Sequence, residues 1–250
     1  MAKILNVGSI NMDLVVRVPL TPMPGESVIG GEFETFPGGK GANQALGAAR
    51  MGADVSMIGR VGNDDFGDTL IQALVADKIK TTYVIKDPNT PTGIAMIAVA
   101  ADGENSIVVA PGANMQIKVD DINKAGDIFR EIDLLLVQLE CPLVVVQAVV
   151  ELAKVNQVQV VLNPAPAQVL PQSLLAMVDV LTPNENELRL ISGEDDITKG
   201  TRALLGQGVK NVLVTLGANG AYLVNETKEV HFPAHKVIAV DTTAAGDAFN

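Results

Sequence analysis

The chain has 250 residues, 48% of them hydrophobic and 19% charged, with a net charge of −11 at neutral pH. That is enough apolar material for one large α/β domain or two small ones, and it excludes a disordered polymer. The acidic balance excludes a nucleic acid or an anionic membrane surface as partner, although backbone amides or a metal ion can still hold a phosphate locally.

Residues 3–7 read as a buried strand that ends at Gly8. The apolar run is short and carries no cleavage-like site, so it is a strand and not a leader. No run reaches membrane-spanning length. The one cysteine, Cys141, allows no internal disulfide and reads as a small core residue. These features together point to the cytoplasm. Asn11 and Asp13 alternate with Ile10 and Met12, which puts both polar groups on one face of an extended segment. That placement suits gripping adjacent hydroxyls of a polyol; a strand-end Asx turn is the plainer alternative. Residues 26–34 contain β-formers without helical period, and Gly30-Gly31 suggests a bulge or bend.

Phe36-Pro37-Gly38-Gly39-Lys40-Gly41-Ala42-Asn43-Gln44-Ala45 combines a small-residue joint with a helix over residues 42–51. Gly38-Gly39 reads as a flexible joint, and Asn43 lies in the first turn, facing a ligand or capping the helix. Neither Gly-x-x-x-x-Gly-Lys-Ser/Thr nor Gly-x-Gly-x-x-Gly occurs, which weakens P-loop and dinucleotide readings. Residues 55–58 predict a strand, 66–76 an amphipathic helix, and 82–85, 93–100 and 105–109 further strands. The last two flank Asp102-Gly103, a hairpin signal. A β-rich insert therefore interrupts the α/β pattern.

From residue 134 the alternation is regular. Strands over 134–139, 158–162, 178–181 and 212–216 alternate with helices over 143–156, around 174–175, over 185–191 and over 201–207. This is the pattern of a parallel sheet covered on both faces, whose ligands bind beyond the carboxyl ends of strands. Polar residues sit at those ends: Gln138 to Glu140, Asn163, Thr182 to Glu185, and Thr215 to Gly217. His231 and His235 flank Pro233 without metal-ligand spacing and read as surface residues.

The chain closes on an apolar run, residues 237–240, and then Asp241-Thr242-Thr243-Ala244-Ala245-Gly246-Asp247-Ala248-Phe249-Asn250. A helix start offers free N–H groups and a positive dipole end. Ala244, Ala245 and Gly246 leave room for a phosphate against their backbone. A carboxylate repels a phosphate, so Asp247 makes sense as a base for an attacking hydroxyl; an ordinary first-turn acid is the alternative.

Together, the 36–45 and 240–250 stretches resemble the paired signatures of the ribokinase-like (PfkB) carbohydrate kinase family, in the right order and over essentially the whole chain. The resemblance implies an α/β three-layer sandwich around a mostly parallel sheet, with lid strands inserted at about 12–36 and 92–110. It implies ATP-dependent phosphorylation of a sugar's primary hydroxyl, with D-ribose 5-phosphate as the product. Fructose, deoxyribose or a nucleoside are the alternative substrates within the family.

By the same resemblance, Asn11, Asp13, Gly39, Lys40, Gly41, Ala42, Asn43, Glu140 and Asp247 bind the sugar. Asp247 is the general base, and the backbone of Ala244, Ala245 and Gly246 forms the anion hole. Asn184, Glu187, Thr215, Leu216, Gly217, Ala218, Asn219, Gly220 and Gly246 serve the nucleotide. Glu187 holds Mg²⁺ through water, and Asp241 and Thr243 hold K⁺. Family members continue past the equivalent of Asn250, so part of the adenine pocket and of the K⁺ site is expected beyond this chain. A non-catalytic sugar-binding role is the alternative if that loss is real. A homodimer through the lid is also implied, favoured by the exposed strand edges.

Overall fold

A computed structural model describes residues 1–237 and 243–250. In chain order it contains β1 (Lys3–Val7), β2 (Asn11–Val18), β3 (Phe33–Gly38), α1 (Lys40–Arg50), β4 (Asp54–Gly62), α2 (Asp65–Ala76), β5 (Lys80–Asp87), β6 (Gly93–Ala100) and β7 (Asn105–Ala110). Two 3₁₀ turns, Gly112–Gln116 and Gly126–Arg130, flank α3 (Val119–Lys124). Then follow β8 (Leu134–Val137), α4 (Leu143–Val155), β9 (Gln159–Leu162), α5 (Gln172–Leu175), β10 (Val180–Leu181), α6 (Glu185–Ser192), α7 (Ile197–Gly206) and β11 (Asn211–Thr215). A 3₁₀ turn, Gly217–Asn219, leads to β12 (Ala221–Asn225), β13 (Glu229–Phe232) and finally α8 (Ala245–Phe249).

Among the described residues the strands form two sheets. The large one has the order β13-β12-β11-β10-β9-β8-β1-β4-β5, and the small one β3-β2-β6-β7. From β11 to β5 every pairing in the large sheet is parallel; β12 and β13 are antiparallel at the far edge. Short apolar strands such as Leu134–Val137 suit this layer because both of their faces are covered. Helix α4 shows how the sequence builds a covering layer. Val145, Val146, Val149, Val150 and Ala153 repeat at helical spacing, and all five are buried.

Two apolar cores result. The larger unites α4, α5 and α6 with β8 to β11, around residues such as Phe129, Leu135, Val149 and Leu174. The smaller packs Ile10, Met12, Ala42, Ala45, Met57 and Leu70 between α1, α2 and the roots of β2 and β4. This second core fixes the start of β2 against the start of α1, and the candidate site sits there.

The expected α/β sandwich with an added small sheet is present. The hairpin at Asp102-Gly103 joins β6 to β7 in antiparallel register. Residues 26–32 form no strand; Gly31 N donating to Arg17 O at 2.7 Å and Arg17 N donating to Glu32 O at 3.5 Å continue the ladder from β3. Gly38 and Gly39 require correction. They are not a slack joint but a tight crossing. A Cβ on Gly38 would lie 2.3 Å from an Asp13 carboxylate oxygen. Gly39 has φ +93°, and a Cβ there would lie 2.7 Å from Asn11 N. Residues 238–242, which include most of the expected closing strand, lie outside the described residues.

Candidate active site

The β1–β2 turn passes under the start of α1, where Ala42 N donates to Ser9 O at 2.9 Å. Gly41 permits this approach: a Cβ on it would lie 2.6 Å from the Gly8 carbonyl carbon. Gly39 is the N-cap, so Asn43 does not cap the helix. Its side chain instead donates to Asp247 Oδ2 at 3.0 Å, across 204 residues of sequence. Helix α8 packs against α1 at the Gly47 position, where a Cβ would meet Ala248 at 3.7 Å. The two quoted stretches are thus brought into contact.

Glu140 follows β8. Its Oε2 accepts from Ser9 Oγ at 2.5 Å and from Lys40 N at 3.5 Å, and its Oε1 lies 3.8 Å from Lys40 Nζ. Lys40 therefore pairs with Glu140. Asp13 projects from β2 toward the same place. Burial, then the charges of Glu140 and Asp247, push its carboxyl up to about 6, against the pull of Lys40. Burial also raises Asp247, opposed by the Asn43 hydrogen bond and by Lys40. Lys40 thus pairs with Glu140 and acts electrostatically on Asp13 and Asp247 as well. Such a site is rich in hydrogen-bond acceptors, which suits the hydroxyl donors of a polyol.

The second group forms at the ends of β10 and β11. Asn184 and Glu187 make a reciprocal capping box at the start of α6: Asn184 N donates to Glu187 Oε2 and Glu187 N to Asn184 Oδ1, both at 2.8 Å. Asn184 bridges Thr215 in parallel register, and Thr215 N donates to Pro183 O at 2.9 Å. The turn Leu216, Gly217, Ala218, Asn219, Gly220 closes with Leu216 N donating to Gly220 O at 2.8 Å. Gly220 has φ +95°, and a Cβ there would overlap Phe232 O at 1.9 Å, so this turn admits glycine alone. Glu187 links the two groups. Burial raises its pKa, its bond from the Asn184 backbone lowers it, and Lys40 and Asp247 both act on it electrostatically.

Ala244 occupies the left-handed region at φ 57° and caps α8. Ala245 and Gly246 are exposed. A Cβ on Gly246 would meet nothing within 4 Å, so neither packing nor backbone conformation requires glycine there. Thr243 precedes this turn, and Asp241 lies outside the described residues.

The structure adds residues that the sequence reading left without a role. Ser9 and Asn114 touch Glu140 and Asn11 directly. Beneath the site runs a buried amide chain: Asn163 Nδ2 donates to Thr182 O at 2.9 Å, Gln44 Nε2 to Asn163 Oδ1 at 3.1 Å, and Gln138 Nε2 to Gln44 Oε1 at 2.5 Å. The polar strand ends were a signal for Gln138, Asn163 and Thr182, and the structure buries all three in this amide chain. Cys141 is buried in the large core, and burial pushes its thiol up to about 12, so it is inert. His231 and His235 are exposed; His231 Nε2 meets Asn219 O at 2.8 Å beside the glycine turn.

The layout has counterparts among known proteins. The model of the pfkB family carbohydrate kinases matches residues 1–250. A ribokinase of Haemophilus influenzae is 42% identical over 256 residues, covering 100% of this chain and 84% of that protein. A deoxyribokinase of Salmonella typhi is 40% identical over 249 residues, covering 97% and 81%. The solved structure of Arabidopsis thaliana ribokinase complexed with ribose and ATP superposes with a TM-score of 0.88 at 33% identity, covering 100% of this chain and 84% of that one. With its two-sheet fold, its paired sites and this full-length match, the chain belongs to the pfkB family of carbohydrate kinases.

Proposed function

We propose that this protein transfers the γ-phosphoryl group of ATP to the primary hydroxyl of D-ribose, giving D-ribose 5-phosphate and ADP. The observation that carries this reading is the convergence of Asp13, Glu140 and Asp247 on Lys40, with Asn43 bonded to Asp247. The carboxylates accept bonds from the sugar hydroxyls, and Asp247, left as an acceptor at the edge of this cluster, takes the proton of the primary hydroxyl. The hydroxyl oxygen then forms a bond to the γ-phosphorus as the bond to ADP breaks, and the proton stays on Asp247. Burial favours this, since it raises the basicity of the carboxylate. The backbone of Ala244 and of the exposed Ala245 and Gly246 holds the migrating phosphoryl group.

Asn184, Glu187 and the turn from Thr215 to Gly220 hold the nucleotide. Among the described residues, no group of three or more His, Cys, Asp or Glu side chains is placed to hold a metal ion. Glu187 would hold a Mg²⁺ ion through water, and the ion would neutralise phosphate charge. Thr243, with Asp241 outside the described residues, would hold K⁺ as the family resemblance implies. The small sheet acts as a lid inserted into a domain spanning residues 1–250. Its exposed Phe33, Met96, Ile107 and Val108 form the contact of a homodimer. No described helix is long and apolar enough to cross a membrane, and the protein works in the cytoplasm.

The test is ADP release over ribose, 2-deoxyribose, fructose and adenosine, with ³¹P NMR of the product. Ribose is expected to give the highest kcat/KM, with phosphate on its primary carbon. Preference for 2-deoxyribose by tenfold or more, or activity on adenosine without activity on ribose, defeats the choice of sugar. Added K⁺ and Mg²⁺ are expected to raise the rate, and light scattering checks the dimer.

A further inference from the structure

Asn114 lies in the 3₁₀ turn Gly112–Gln116, is 1% exposed, and stands 103 residues from Asn11 in sequence. Its amide is wedged between the start of β2 and the start of β6. Ile10 N donates to Asn114 Oδ1 at 2.9 Å. A backbone N–H can only donate, so this contact decides which end of the Asn114 amide is the oxygen. The other end agrees: Nδ2 donates to Pro111 O at 3.0 Å and lies 3.3 Å from Ile10 O, both of which can only accept. Asn114 Nδ2 also lies 2.6 Å from the side chain of Asn11. Facing a donor, that atom of Asn11 must be the acceptor, Oδ1. Asn11 Nδ2 is then the end left over, and it has no hydrogen-bond partner among the described residues. Packing holds the arrangement. β6 places Gly93 opposite Asn11, and a Cβ on Gly93 would lie 2.3 Å from Asn11 Oδ1 and 2.4 Å from Asn114 Nδ2.

We propose that Asn114 is a positioning residue for sugar recognition, setting the Asn11 amide so that the site offers an N–H donor there. The inference rests on the sugar-kinase reading above. Asp13, Glu140 and Asp247 accept when ionised, while the Lys40 ammonium lies against Glu140 and the Asn43 amide already donates to Asp247, so few donors remain for the sugar's own lone pairs. A fixed donor at Asn11 meets one sugar oxygen. Without Asn114, the Asn11 amide is free to rotate by half a turn and set acceptor against acceptor.

The experiment is calorimetric titration of ribose, its monodeoxy analogues and its ring-sulfur analogue, with steady-state kinetics, on wild type, Asn114→Ala and Asn11→Asp. Asn11→Asp keeps an acceptor for Asn114 Nδ2 and so tests the idea even if Asn114→Ala fails to fold. In both variants the KM and Kd for ribose are expected to rise about tenfold, the loss of about one hydrogen bond. The KM for ATP is expected to change less than about threefold, within what one remote contact does. In wild type one analogue, lacking the oxygen met by Asn11, binds more weakly than ribose; in the variants that difference disappears. A variant that keeps the wild-type analogue profile, or that loses ribose and ATP affinity equally, overturns the assignment. Wild type that binds nucleotide but no sugar overturns the kinase reading and this inference together.

Discussion

Replacing Asp247 by Asn separates chemistry from binding. The substitution is nearly isosteric, and the amide oxygen can still accept the 3.0 Å bond from Asn43 Nδ2, so the side chain stays in place. What is lost is the capacity to take a proton. General-base catalysis contributes about 10²- to 10⁴-fold, equivalent to about 2.7–5.4 kcal/mol of activation free energy. Folding moves the other way. Burial and the charge of Glu140 raise the pKa of Asp247, so the ionised carboxylate is disfavoured in the folded state at neutral pH. A neutral amide removes that cost, and the melting temperature should hold or rise. A coupled ADP-release assay at saturating ATP measures kcat, and calorimetry measures the ribose Kd. We expect kcat to fall by about 10²- to 10⁴-fold, with the Kd changed less than about threefold. If kcat keeps a tenth of its value, or Kd rises as much as kcat falls, Asp247 is not the base.

Asp13 predicts a pH dependence of sugar affinity. Its folded pKa is raised from 3.8 to about 6, so its contribution to folding stability falls as pH rises from about 4 to 6. Hydroxyl donors favour the ionised form, so ribose should bind more weakly below pH 6 and release a proton on binding near that pH; titrations in buffers of different ionisation enthalpy detect it, and a flat affinity from pH 5 to 7 refutes it. Gly246→Ala should leave the melting temperature unchanged or slightly raised, because a Cβ there meets nothing and alanine favours the helix by roughly 0.5–1 kcal/mol. Its turnover should fall by about tenfold or more if phosphate lies on that backbone, and an unchanged rate removes the anion hole from α8. Glu187→Gln keeps an acceptor for Asn184 N and so keeps the helix cap. The KM for Mg-ATP should rise about 10- to 100-fold with ribose affinity intact, and equal effects on both substrates would make Glu187 a support of the fold.

Periodicity and punctuation sufficed for most of the architecture. Apolar runs of four to eight residues alternating with helical patterns dictate a covered parallel sheet, because each such strand must bury both faces. The valine stripe of α4 and the Asp-Gly hairpin between β6 and β7 belong to this class. Both are set by neighbours within a dozen residues, which a sequence displays directly. The 36–45 and 240–250 stretches also marked Asn43 and Asp247 as candidates, and the fold brings these two side chains into contact.

Tertiary structure alone decided the pairings. Asn43 bonds Asp247 across 204 residues, Ser9 meets Glu140 across 131, and Asn114 reaches Asn11 across 103. Arg60 is buried between Asp87 and Asp121 at 2.8 and 2.6 Å, which ties β4 to the approach to β6 and to α3. No local pattern marks these pairings, because a hydrogen bond is specified by position in space and not by separation along the chain. The same holds for Gly38 and Gly39. In sequence they read as slack; in the fold they are small because a carboxylate and a backbone amide stand where side chains would go. Composition and spacing determined which elements form, and packing determined which polar side chains meet, because contacts between distant segments depend on the path of the whole chain.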